Sequence, residues 1–143
     1  MFNLAKDKNG QGKKLLGVLW QNATMRRNFE LSGNYLCFDM MKRGINTLLW
    51  PYTAAAMYDE MMNVCLACEG IVCRERMDMY QLITDFLSQS TPLCRLCDIN
   101  IVSGDGFFNK EVVTDLGFIN AKFVADQWHL LEFGLAKMLV MSY

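Results

Sequence analysis

The chain has 143 residues, 52% apolar and 20% charged, the balance of one folded domain, which excludes a chain disordered throughout. Its formal net charge is −1, so it lacks the broadly basic surface of a stand-alone nucleic-acid-binding module. Any contact with DNA must use local clusters such as Arg26 with Arg27, or Lys42 with Arg43.

Lys6, Asp7 and Lys8 interrupt the N-terminus before a signal-peptide core can form. No apolar run reaches the roughly 18 residues of a membrane span, so no membrane association is expected. Six cysteines without a leader point to free thiols in a reducing compartment, nuclear or cytoplasmic and not secreted.

Residues 1–17 read as a flexible lead-in, since Lys6 to Lys14 is polar and carries Gly10 and Gly12. Leu15 to Trp20 is apolar, and Thr24 to Phe29 reads as a short helix or turn. Gly33-Asn34 marks a turn before Tyr35-Leu-Cys-Phe-Asp39, the expected first strand. Ile45 to Tyr58 is expected as a second strand with a bend or edge feature at Pro51. Asn63 to Cys73 is expected as a third, with Gly70 inside it. Three strands so close in sequence favour an antiparallel meander.

The period then changes. Met79, Leu82, Ile83, Phe86 and Leu87 recur at helical spacing, with Asp78 in the first turn and an end between Ser88 and Pro92. Ile99 to Val102 is a short strand closed by Ser103-Gly-Asp-Gly106. Asn109 as N-cap and Gly117 as C′ residue bracket a short helix. Ala121 to Ala125 is a fifth strand, and His129 to Met141 a last helix with Leu131, Leu135 and Met138 on one face. The fold class expected is α/β: three antiparallel strands and then two βα units, giving a mixed sheet with helices on its faces. The apolar, uncapped finish at Leu139 to Tyr143 implies a domain truncated at the C-terminus, with self-association through its uncovered apolar surface as a further expectation.

Two aspartates stand out. Asp39 ends an apolar strand, and Asp105 follows another inside a glycine-flanked turn. If the two strands are neighbours, both carboxylates emerge at one edge of the sheet as hard oxygen ligands for Mg²⁺ or Mn²⁺, the arrangement of two-metal phosphoryl chemistry. Taken singly, each aspartate reads as an ordinary turn residue. His129 is the only histidine. Beside Trp128 it can orient a phosphate or a water, although a lone histidine next to aromatics is more often a hydrogen-bonded structural side chain.

Cys65-x-x-Cys68 and Cys94-x-x-Cys97 have the paired spacing of a structural zinc site. In an extended strand, however, positions three apart point to opposite faces, so buried free thiols are the preferred reading. Cys37 and Cys73 read as core residues. The methionine pairs Met40-Met41 and Met61-Met62 read as gap-filling in the core. Gly104-Asp105-Gly106 lacks the spacing and lysine of a phosphate-cradling loop.

Trp20-Gln-Asn-Ala-Thr-Met25-Arg-Arg-Asn-Phe29, with Gly33-Asn-Tyr-Leu-Cys-Phe-Asp39-Met-Met-Lys-Arg-Gly-Ile-Asn46, resembles the start of the Mutator-like element (MULE) transposase catalytic domain. The apolar strand Leu48 to Met57, the strand carrying Glu69-Gly70, the segment Ile101 to Lys110 and the Trp128-His129 segment follow in the order of that family. The likeness covers residues 18 to 135. It implies a partial RNase-H-like domain over 18–143 with an Asp-Asp-Glu triad, in which Asp39 and Asp105 match the two aspartates. The implied cofactor is Mg²⁺ or Mn²⁺ and the implied partner is DNA, namely transposon ends held by other parts of such a protein. The implied reaction is DNA transposition, with water or a DNA 3′-hydroxyl attacking a phosphodiester. The triad's glutamate has no counterpart, since neither Glu111 nor Glu132 matches its position, and Asp126 stands where the family often has cysteine.

Three readings follow. The first is a transposase catalytic fragment, inactive alone. The second is a recruited transposon remnant that binds DNA or protein without catalysis. The third is a zinc-stapled interaction module built on the two CxxC pairs.

Overall fold

The computed structural model describes residues 15–32, 34–41, 49–59, 61–92, 96–104 and 110–125. They form an α/β fold around one mixed six-stranded sheet. The strands are β1 (Gly17–Trp20), β2 (Tyr35–Met41), β3 (Tyr52–Tyr58), β4 (Val64–Val72), β5 (Ile101–Gly104) and β6 (Lys122–Ala125). Across the sheet they run β1-β4-β3-β2-β5-β6. β1, β4, β3 and β2 pair antiparallel in turn, and β5 and β6 continue from β2 in parallel. Among the described residues no helix is long and apolar enough to cross a membrane.

The expected sheet of five strands has a sixth. Gly17 to Trp20, partly inside the segment read as lead-in, pairs with β4 through Gly17↔Val72 and Leu19↔Gly70. Gly70 makes that approach possible: a Cβ there would lie 2.3 Å from Leu19 Cδ2 and 2.8 Å from the Val18 carbonyl oxygen. The second strand is shorter than expected. Among the described residues from Leu49 onward it begins at Tyr52, after Leu49 in the left-handed region at φ 55°. Pro51 therefore precedes the strand, and its carbonyl accepts the Val72 N–H at 3.0 Å.

The helices are α1 (Ala23–Ser32), α2 (Met77–Ser90) and α3 (Lys110–Asp115). Asn22 caps α1, its side-chain oxygen accepting the Met25 N–H at 2.8 Å. α1 buries Met25 and Phe29 and packs on β4 and β3. α2 carries Met79, Tyr80, Ile83, Phe86 and Leu87 on its buried side, as the helical spacing predicts. Its first turn holds Asp78, which ion-pairs with Arg74.

α3 ends as expected at Gly117. That residue sits at φ 96°, donates to the Thr114 carbonyl, and leaves Phe118 to donate to the Val113 carbonyl. This double bond is the Schellman arrangement, and it seats Phe118 beside Val113 in the core.

One face of the sheet is the core face. Leu36, Phe38 and Met40 of β2 line it with Thr53, Ala55 and Met57 of β3 and Cys68 and Val72 of β4. Tyr80 meets Phe38 edge-on with ring centroids 6.1 Å apart, and Phe118 meets it at 5.9 Å. The expected last helix, 129–141, lies outside the described residues.

Candidate functional site

Alternation along β2 sends Phe38 into the core and its neighbours Cys37, Asp39 and Met41 to the other face. Asp39 is exposed there. β5 lies beside β2, in parallel, with Tyr35↔Ile101, Leu36↔Val102 and Cys37↔Ser103. The expected neighbourhood of these two strands is therefore present. Asp39 stands two residues past Cys37. β5 ends at Gly104, the residue before Asp105 in the sequence. Asp105 itself, His129, Asp126, Trp128 and Glu132 lie outside the described residues, so of the three sequence-nominated site residues the structure places Asp39. Glu111 is exposed in the first turn of α3.

Register places a further carboxylate in line with Asp39. Asp39 pairs with Ala54, Ala54 with Glu69, and Glu69 with Trp20. These four residues form one row across the open face, with Asp39 and Glu69 two strand spacings, roughly 10 Å, apart. Glu69 is engaged at both oxygens: the Trp20 indole Nε1–H donates to Oε2 at 3.2 Å, and the Tyr52 hydroxyl donates to Oε1. Burial pushes the Tyr52 phenol up to about 12, and its bond to the Glu69 carboxylate and that group's charge add to the shift. Sequence reasoning noted Glu69 but not this set, because Trp20 and Glu69 are 49 positions apart and only the register of β1 joins them.

At the other end of the same face, the Tyr35 hydroxyl and Ser103 Oγ share a hydrogen bond of 2.6 Å across β2 and β5. The Tyr35 ring leans on Tyr58 with centroids 5.1 Å apart. This pairing braces β2 against both of its neighbours below Asp39.

The cysteines correct two expectations. β4 carries a bulge: Ala55 pairs with Cys68 but Ala56 pairs with Leu66, leaving Ala67 unmatched. The extra residue brings Cys65 and Cys68 to the same face, opposite Met57 and Ala55 respectively, whereas an unbroken strand would have separated them. Gln21 Nε2 donates to the Ala67 carbonyl at 2.7 Å and so satisfies a bulged backbone group. Cys37, read as a core residue, is half-buried on the face that carries Asp39. Cys68 is the deeply buried thiol, and burial pushes its pKa up to about 12. The methionine pairs likewise divide: Met40 is in the core, but Met41, Met61 and Met62 are exposed.

The chemistry of these donors can be weighed against the candidate ions. Asp39 does not end its strand as expected, since β2 continues through Met40 and Met41, but its exposed carboxylate on the open face suits a hard cation such as Mg²⁺ or Mn²⁺. A thiol held neutral by burial is a poor source of the thiolate that zinc needs. Cys94 lies outside the described residues. Among the described residues no group of three or more His, Cys, Asp or Glu side chains comes together. Comparison with known protein families, with curated proteins and with solved structures returns no match.

Proposed function

We propose that this chain is the front part of an RNase-H-like catalytic domain of the Mutator-like transposase kind, built for metal-dependent cleavage and joining of DNA strands. The observation that carries the reading is the parallel pairing of β2 with β5. It sets the strand of Asp39 beside the strand that leads to Asp105. The run of antiparallel strands β2, β3 and β4 followed by the parallel strands β5 and β6, with α2 and α3 at the connections and β1 added at the β4 edge, supports the same reading.

Asp39 and Asp105 would hold Mg²⁺ or Mn²⁺, and a bound ion supplies charge stabilisation to phosphoryl transfer. What the chain contributes is placement: Asp39 is fixed on a central strand, paired on both sides, rather than on a mobile loop. His129 remains the candidate for orienting a phosphate or water. DNA is the proposed partner, and self-association through open apolar surface is proposed beside it.

A second reading, a recruited remnant that binds DNA or protein without catalysis, is favoured by the state of Glu69. Among the described residues it is the carboxylate in the row of Asp39, and both of its oxygens are already taken by Trp20 and Tyr52. It is thus built as a structural acceptor.

Mn²⁺ titration of the purified chain, followed by calorimetry and by nicking of supercoiled DNA, tests the proposal. Weak Mn²⁺ binding that is lost in both Asp39→Asn and Asp105→Asn, with the fold intact by circular dichroism, is the expected result. No nicking is expected from this chain alone, since two aspartates are too few to fix both ions and the scissile phosphate. Absence of Mn²⁺ binding, or binding indifferent to both substitutions, would overturn the catalytic-fragment reading in favour of the remnant.

A further inference from the structure

We draw no further inference here: the strongest candidate, the open apolar groove at the β3–β4 hairpin end of the sheet lined by Leu31, Tyr35, Tyr58, Met62 and Ile101, carries nothing because nothing in the structure shows what covers it.

Discussion

The two faces of β2 live in different solvents. Leu36, Phe38 and Met40 are shielded from water, Phe38 to 2% exposure with its ring against Tyr80 of α2 and Phe118. Cys37, Asp39 and Met41, interleaved with them, look the other way, and Met41 is 52% exposed. A strand of seven residues thus carries two jobs at period two: one set of side chains supplies burial, and the other is left for polar contacts. Adjacent residues can therefore be substituted to very different effect, and stability can be separated from chemistry within a single strand.

The sharpest way to break that comparison is the pair Phe38→Ala and Asp39→Asn. Removing the Phe38 ring takes away its ring contacts to Tyr80 and Phe118 and leaves a cavity in the middle of the core. A loss of about 3–5 kcal/mol is expected, read as a lower urea midpoint. Asp39→Asn should stay within about 0.5 kcal/mol of the parent, as exposed substitutions do. A comparable loss from both would show that Asp39 is structural and that the open face is no place for chemistry.

Gly70 tests whether the open and core faces share one continuous sheet out to its edge. Its missing Cβ is what lets β1 lie against β4, and the Val18 carbonyl at 2.8 Å from the ideal Cβ position belongs to backbone that cannot swing aside. Gly70→Ala should cost about 1–3 kcal/mol through forced strand separation. It should also raise amide exchange in Gly17 to Trp20 before the rest of the sheet. An unchanged exchange pattern would mean that β1 is held by something other than this close approach.

Much of this division is legible in the residues. The alternation of Tyr35 to Asp39, the helical spacing of Met79 to Leu87 and the glycine at 117 each name a local preference that the fold satisfies. What is hidden is whatever depends on pairing at a distance. β1 is four residues inside the short apolar run Leu15 to Trp20, which by itself does not distinguish a strand from a buried helical turn, and its place in the sheet depends on the distant Gly70. The bulge at Ala67 is likewise invisible in Val64 to Val72, because register belongs to two strands at once. It turned the expected separation of Cys65 and Cys68 into a shared face. For the candidate site, the strand of Asp39 and its neighbour could be read ahead. The holding of Glu69 by Trp20 and Tyr52 could not, since it joins three strands.

That Glu69 set offers a pH test on the open face. Tyr52 has a folded-state pKa of about 12 against the ordinary 10.0. A raised value means that folding favours the neutral phenol. Its contribution is therefore complete below pH 10, falls as pH rises through the window from 10 to 12, and is gone above it. Tyr52→Phe should cost about 1 kcal/mol at neutral pH through the lost hydrogen bond to Glu69. It should also flatten the alkaline decline relative to the parent when urea midpoints are measured from pH 9 upward. Parallel declines in the two proteins would place the alkaline sensitivity elsewhere, with the Cys68 thiol the next group to examine, since its pKa too is pushed up to about 12.

The smallest effect is expected at the tip of the β3–β4 hairpin, where the open face ends. The Asp59 carboxylate accepts the backbone N–H groups of Met61 and Asn63 and the Asn63 side-chain amide, which holds its pKa below the usual carboxylate range. That clamp fixes the turn tightly enough to keep Met62 in the left-handed region at φ 63°, a conformation that a side chain with a Cβ resists. Met62 is 72% exposed, so little burial offsets the strain. Met62→Gly removes the clash but loosens the unfolded chain, two opposed terms that leave a net stabilisation of about 0.5–1 kcal/mol. Asp59→Ala should erase that gain by releasing the turn, so the double variant Asp59→Ala, Met62→Gly would be no more stable than Asp59→Ala alone. A destabilised Met62→Gly would show instead that the methionine side chain is held in contacts worth more than its strain, and the hairpin tip would then belong with the covered face rather than the open one.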